Sequence, residues 1–246
     1  MLKRNIAAAF SIYANHFGSI FILSLSLLLP LMVLHNVIAN AAYLEAARTG
    51  LPAAGDLLNS FLMFLFLIVG QVPFIRFAGA ELREEEQLLK PAFLAFFTYG
   101  FPVYIFALLF TMMVLAGFAV FVIPGIILIV LFFLTPYIAV LRGQPVFRSM
   151  KPGLQLGIRK FFPLLLLIVL LSLTELVIGT AGMIGITRIT DSYLAVVLSE
   201  MLLNLLFFPF FVILLTLQVH HWEKEETFAG SWLKKAVGNY GVRAKS

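Results

Sequence analysis

Six stretches of this chain are apolar, nearly free of charge, and close to the roughly 20 residues that cross about 30 Å of hydrocarbon. They run Phe17 to Asn40, Leu57 to Phe77, Phe101 to Val120, Pro124 to Leu141, Phe161 to Met183 and Tyr193 to His220. Apolar residues make up 62% of the chain and charged residues 12%, where a soluble domain carries about 25% charge. A soluble core cannot absorb that surplus, so the expected fold is all-α, a polytopic membrane protein with six transmembrane helices. The third and fourth runs are separated only by Phe121 to Ile123, with Pro124-Gly125 as the turn, so a re-entrant pair over residues 101–141 is the rival arrangement.

With six spans, the basic residues sort to one side. Of the seventeen Lys and Arg residues only Arg48 and Arg188 fall in connections of the opposite side. Positive charge is retained on the cytoplasmic side, which places both termini in the cytoplasm of a bacterial-type inner (plasma) membrane. The net charge of +5 therefore calls for anionic membrane lipid rather than nucleic acid, for which no motif is present. Small residues from Ala39 to Ala42 follow an apolar run, as at a signal-peptide cleavage site, but the run from Ile20 to Ile38 is nearer a full span, so the segment reads as a retained helix.

Three segments leading into spans carry one-sided apolar spacing: Ile6, Ala9, Phe10, Tyr13 and Phe17; Leu89, Phe93, Phe96, Phe97 and Gly100; and Phe147, Met150, Leu154, Ile158 and Phe161. They read as interfacial amphipathic elbow helices over Asn5 to Phe17, Lys90 to Phe101 and Val146 to Phe161, each feeding a pair of spans, so that the chain is built of three helix-span-span units. In the third, Arg148, Lys151, Arg159 and Lys160 are candidates for lipid headgroups, as are Lys234 and Lys235 in the tail. The organisation expected is one membrane domain over residues 1–222 and a short amphipathic cytoplasmic tail over 223–246, where Glu223, Glu225 and Glu226 would suit a helix start.

Chemistry has few carriers. The chain has no Cys, which removes disulfides, thiolate nucleophiles and thiolate metal sites together. His16 and the His220-His221 pair sit at span ends and read as interfacial anchors, and Gln71 and Gln218 as interfacial amides. The polar residues stranded inside spans are His35 and Asn36 in the first, Glu175 in the fifth, and Glu200 and Asn204 in the sixth. Alternating span direction puts all five in the outer half of the membrane. An isolated ionisable group in hydrocarbon costs several kcal/mol, so these should face protein, water or each other. Interhelical hydrogen bonds, carboxylates reaching the outer interface, and a substrate or proton pathway all remain open for them. Prolines in or beside the spans, Pro30, Pro136 and Pro209 among them, favour irregular helices of the kind transporters use to build sites.

Val122-Ile123-Pro124-Gly125-Ile126, then Phe132 to Pro136, Val146 to Met150 and the Gly157 to Phe161 approach resemble the glycerophosphoryl diester phosphodiesterase membrane-domain family and related bacterial inner-membrane proteins. The resemblance covers about residues 120–170, and departs from the family pattern at Met150-Lys151 and Arg159-Lys160. It implies a multi-span membrane module, and the esterase name belongs to a neighbouring catalytic domain for which this chain has no room. The functions expected are a small transporter or lipid-handling module working through the outer-half polar residues. The alternative is an accessory or scaffold subunit of a membrane complex, with a protein partner or a second copy. An enzyme would need a nucleophile or metal that the sequence does not nominate, and no cofactor is implied.

Site-directed labelling tests the topology: positions beside Arg48 and Arg188 should react from outside, and positions beside Lys90, Lys151 and Lys245 only from the cytoplasm. An odd number of crossings overturns it.

Overall fold

A computed structural model describes the backbone of residues 2–243 and the side chains of residues 2–226. Every regular element among the described residues is helical, and six helical segments are long and apolar enough to cross a membrane. Helix α1 (Leu2–Asn15) stops at His16, whose backbone leaves the helical region at φ −117°, ψ 22°. The first crossing then combines α2 (Phe17–Leu23), a π-helical turn (Ser24–Leu28) and α3 (Leu29–Thr49). Pro30 explains the π turn. It donates no backbone hydrogen bond and its ring crowds the carbonyl four residues back, and the widened turn instead lets the Leu29 N–H reach Ser24 O.

Gly50, at φ +69°, ends α3 in a left-handed turn that only glycine adopts without strain, and Pro52 opens α4 (Pro52–Gly70). Gln71 separates α4 from α5 (Val72–Glu81), which completes the second crossing. Helix α6 (Leu89–Val120) is one uninterrupted element. Phe121 is extended, and α7 (Val122–Phe132) folds back along α6, with Gly117 and Gly125 in mutual contact across the hairpin. A break at Phe133-Leu134 leads to α8 (Thr135–Arg142). Together α7 and α8 occupy the 21 residues from Val122 to Arg142, long and apolar enough for a crossing, as is α6 before them. The chain continues through α9 (Val146–Arg159), α10 (Phe161–Thr187) and α11 (Tyr193–Arg243).

Helices α1 and α9 are separate elements, each broken from its span, at His16 and at Lys160. The elbow expectation does not hold as drawn for the second segment, which runs on into α6. Pro102 tolerates helical φ and removes one backbone bond without ending the helix. Nor does the tail begin a new helix: α11 continues through Glu223 to Arg243 without a stop. Lys234, Lys235 and the tail's apolar stripe lie beyond the described side chains.

The faces of these segments are arranged in the same way each time, with chiefly small residues turned to the protein and large apolar ones outward. In α1 the protein side is Asn5 and Ala9, while Phe10 is 65% exposed. At the start of α6 it is Ala92 and Ala95, while Phe97 is 73% exposed. In α9 it is Val146, Ser149, Gly153, Leu156 and Gly157, while Phe147 and Ile158 point outward. Spans gain nothing by exchanging lipid for Leu or Phe, so small residues that admit a neighbouring backbone make the contact and large ones face the acyl chains.

The core follows from this packing. It is densest at the end of the bundle that carries the basic residues, where Phe74, Ile75 and Phe77 of α5 meet Leu134 at the break and Tyr137 and Ile138 of α8, all fully buried. Polar contacts reinforce that end. The Asn5 amide donates to Gln218 Oε1 at 2.7 Å, and the Tyr13 hydroxyl donates to Leu206 O at 2.8 Å, so α1 is fastened along α11. Burial pushes the Tyr13 phenol up. Arg76 grips Glu85 with two hydrogen bonds, at 2.7 and 3.1 Å, and these hold the Glu85 carboxyl below the usual carboxylate range. At the opposite end packing thins, and the fifth crossing is only 11% buried against 67% for the second.

A Cβ built on Gly157 would lie 2.8 Å from Leu131 O, and one on Gly153 3.1 Å from Thr135 Cα. Gly157→Ala should therefore cost about 1–3 kcal/mol of stability. Gly179→Ala, where nothing lies within 4 Å, should leave the thermal midpoint of the purified protein unchanged. Equal midpoints for the two variants would refute the packing of α9 on the α7–α8 break.

Candidate functional site

At the thinly packed end the spans separate into two hairpins. Helix α3 packs on α4 and α10 on α11, while α10 otherwise touches only α7 and α9 to any extent. Between the hairpins lies a cavity of about 340 Å³. All five polar residues singled out in the spans line it: His35 and Asn36 from α3, Glu175 from α10, Glu200 and Asn204 from α11. Its remaining wall is apolar, with Met32, Met63 and Phe66 on one side and Val197 and Met201 on the other. A volume of this size is that of a small-molecule site.

The floor is built from the sequence irregularities noted above. Leu28, the last residue of the π turn, Leu67 of α4 and Phe208 of α11 close the cavity toward the basic end. They meet over Gly70, where a Cβ would lie 3.3 Å from Leu28 and 3.7 Å from Phe208. One turn beyond Leu28 and Leu67 stand Ser24 and Gln71, both buried, and neither Ser24 Oγ nor Gln71 Oε1 has a hydrogen-bond partner. Gln71 is thus a core residue below the floor, not the interfacial amide its place in the sequence suggested. Its i+4 spacing from Leu67 was the available signal.

Convergence has not brought pairing. The Asn36 amide donates to Met32 O at 3.1 Å and the Asn204 amide to Glu200 O at 3.1 Å, each to its own helix. His35 sets its ring edge-on to Phe66, with its Nε2 buried and without a partner. No hydrogen bond or ion pair joins any two of the five across helices among the described residues. Glu175 and Glu200 are exposed at the open side, and with Asn204 they also border a second, smaller cavity of about 140 Å³ between α10 and α11. No three His, Asp or Glu residues among those described are grouped to hold a metal ion.

The headgroup candidates divide. Arg159 lies 3.2 Å from Glu226 and Lys160 2.9 Å from Glu225, while Arg142 reaches Glu223 at 2.6 Å, so these bases tie α8, α9 and α10 to the continuation of α11. Arg148 and Lys151 are exposed on the outward side of α9, beside Phe147. His16, read as an anchor, pairs with Glu81 at 3.2 Å. His221 lies 3.4 Å from Glu225.

No protein family matches this chain, and no curated protein or solved structure does either. The site's chemistry must be read from its own residues: a half-open apolar cleft whose polar groups are gathered and left unjoined.

Because the chain has no cysteine, a single introduced thiol reports its own surroundings. Asn204→Cys should react with a water-soluble methanethiosulfonate in the native protein, and Gln71→Cys, at a site 2% exposed, only after denaturation. Equal rates at the two positions would show that the cavity is not water-accessible.

Proposed function

We propose that this multi-pass membrane protein binds an amphiphilic molecule in the cleft between the α3–α4 and α10–α11 hairpins, as a lipid-handling module or small transporter. The observation that carries the reading is the cavity in which five intramembrane polar residues meet an apolar wall without bonding one another. Polar groups at this depth are retained against a cost of several kcal/mol each, and a ligand headgroup that bonds them would offset it. The apolar wall suits an acyl or other hydrophobic tail that extends through the open side into the bilayer.

A floor at Leu28, Leu67 and Phe208 makes the cleft one-sided. That arrangement suits capture and release within one leaflet more than a continuous pore. With the basic residues cytoplasmic, as charge asymmetry favours in a bacterial-type inner membrane, the cleft belongs to the outer leaflet. Kinship with the phosphodiesterase membrane-domain family is part of the same proposal and rests on the Pro124 to Phe161 pattern alone.

One observation favours the accessory-subunit reading instead. Leu166, Leu173, Leu176 and Val177 leave α10 exposed along much of its length, a surface that a partner helix would cover as well as lipid does.

Extraction and mass spectrometry of the purified protein separate the two. Met63→Trp, which fills the cleft, should lower co-purifying amphiphile about tenfold, equivalent to roughly 1.4 kcal/mol, while the thermal midpoint is retained. Unchanged amphiphile content would reject the cleft as a binding site.

A further inference from the structure

We propose that the ligand of this cleft is a lipophilic ammonium, an amphiphile whose cationic head carries N–H donors. The inference rests on the amphiphile reading above and adds the charge of the head. Among the residues lining the cavity there are two carboxylates and no Lys or Arg. The bases elsewhere are committed or distant: Arg48 lies 3.6 Å from Glu45, and Arg188 follows Glu175 by thirteen residues, about 20 Å along the helix. Among the described residues no Lys or Arg pairs with Glu175 or Glu200.

The hydrogen-bonding inventory points the same way. Asn36 and Asn204 each spend a side-chain N–H on their own helix, which leaves their amide oxygens as acceptors. With the carboxylate oxygens they form an acceptor-rich lining, against which stand only the His35 imidazole and the second N–H of each amide. A phosphate or carboxylate head would meet two like charges and few donors in a poorly solvated half-space, where like charges repel strongly. An ammonium head meets opposite charge and acceptors together. Phe66 and Phe208 also line the cavity, and aromatic rings attract a cation more weakly.

Native mass spectrometry of the full chain in neutral detergent tests this with three probes of equal tail: dodecylammonium, dodecyl phosphate and dodecanol. The expected result is dodecylammonium bound at least about tenfold more tightly than either competitor, a difference of roughly 1.4 kcal/mol. That binding should be lost in Glu175→Gln/Glu200→Gln and blocked by Met63→Trp. Single Glu175→Gln and Glu200→Gln variants, each checked for an unchanged thermal midpoint, serve where the double variant does not fold. If dodecyl phosphate or dodecanol binds as well as the ammonium, and Met63→Trp removes that binding, the cationic head is rejected and the amphiphile site stands. Ammonium binding that survives loss of the carboxylates rejects the cationic assignment too. If no probe shows binding sensitive to Met63→Trp, both readings fall.

Discussion

The fold depends on the contact of α9 with the break between α7 and α8. Ser149, Gly153 and Gly157 recur every fourth residue and present a face with almost no side chain, so the backbone of α9 lies against Val130, Leu131 and Thr135. In lipid, burying one more leucine gains little, and helices associate through close backbone approach and polar contacts. Once α9 is seated there, α8 is held between α5 and α9, and the fully buried Phe74, Tyr137 and Ile138 form the densest part of the molecule. The ion pairs from Arg142, Arg159 and Lys160 to Glu223, Glu226 and Glu225 then bind the same elements to α11.

The other end is more open. Helices α10 and α3 make no extended contact, and across the gap the Tyr193 hydroxyl of α11 donates to Asn40 Oδ1 of α3 at 3.3 Å. With so little direct contact between them, the hairpins part and leave the cavity between them. The two ends differ in packing, with the fully buried side chains of α5 and α8 at one and the cavity at the other.

Irregularities in the spans do the finer positioning. Pro30 widens the preceding turn, and the end of that turn, Leu28, becomes part of the floor. Gly70 lets Leu28 and Phe208 meet, and Phe74 supports Phe208 edge-on at 6.1 Å between ring centres. Ser24 Oγ and Gln71 Oε1, buried beneath the floor without a hydrogen-bond partner, are costly groups in a packed core.

Six spans, their lengths and the segregation of the basic residues were legible in the sequence, because hydrocarbon thickness and the cost of moving charge across it act on composition alone. The depth of His35, Asn36, Glu175, Glu200 and Asn204 was legible for the same reason, since residue count along a span measures depth. Which face of each helix turns inward was not. Periodicity marks an apolar stripe in α1, α6 and α9 but does not say whether lipid or protein covers it, and the large residues of those stripes, Phe10, Phe97 and Phe147, face outward. Nor could the sequence alone tell that Arg159 and Lys160 would find carboxylates sixty-odd residues away, or that Gln71 would be buried. Only the tertiary structure decided that five residues of equal depth share one cavity and stay unjoined, because rotation of each span about its axis is set by which small residues meet across helices, and that depends on pairs of spans rather than on any one of them.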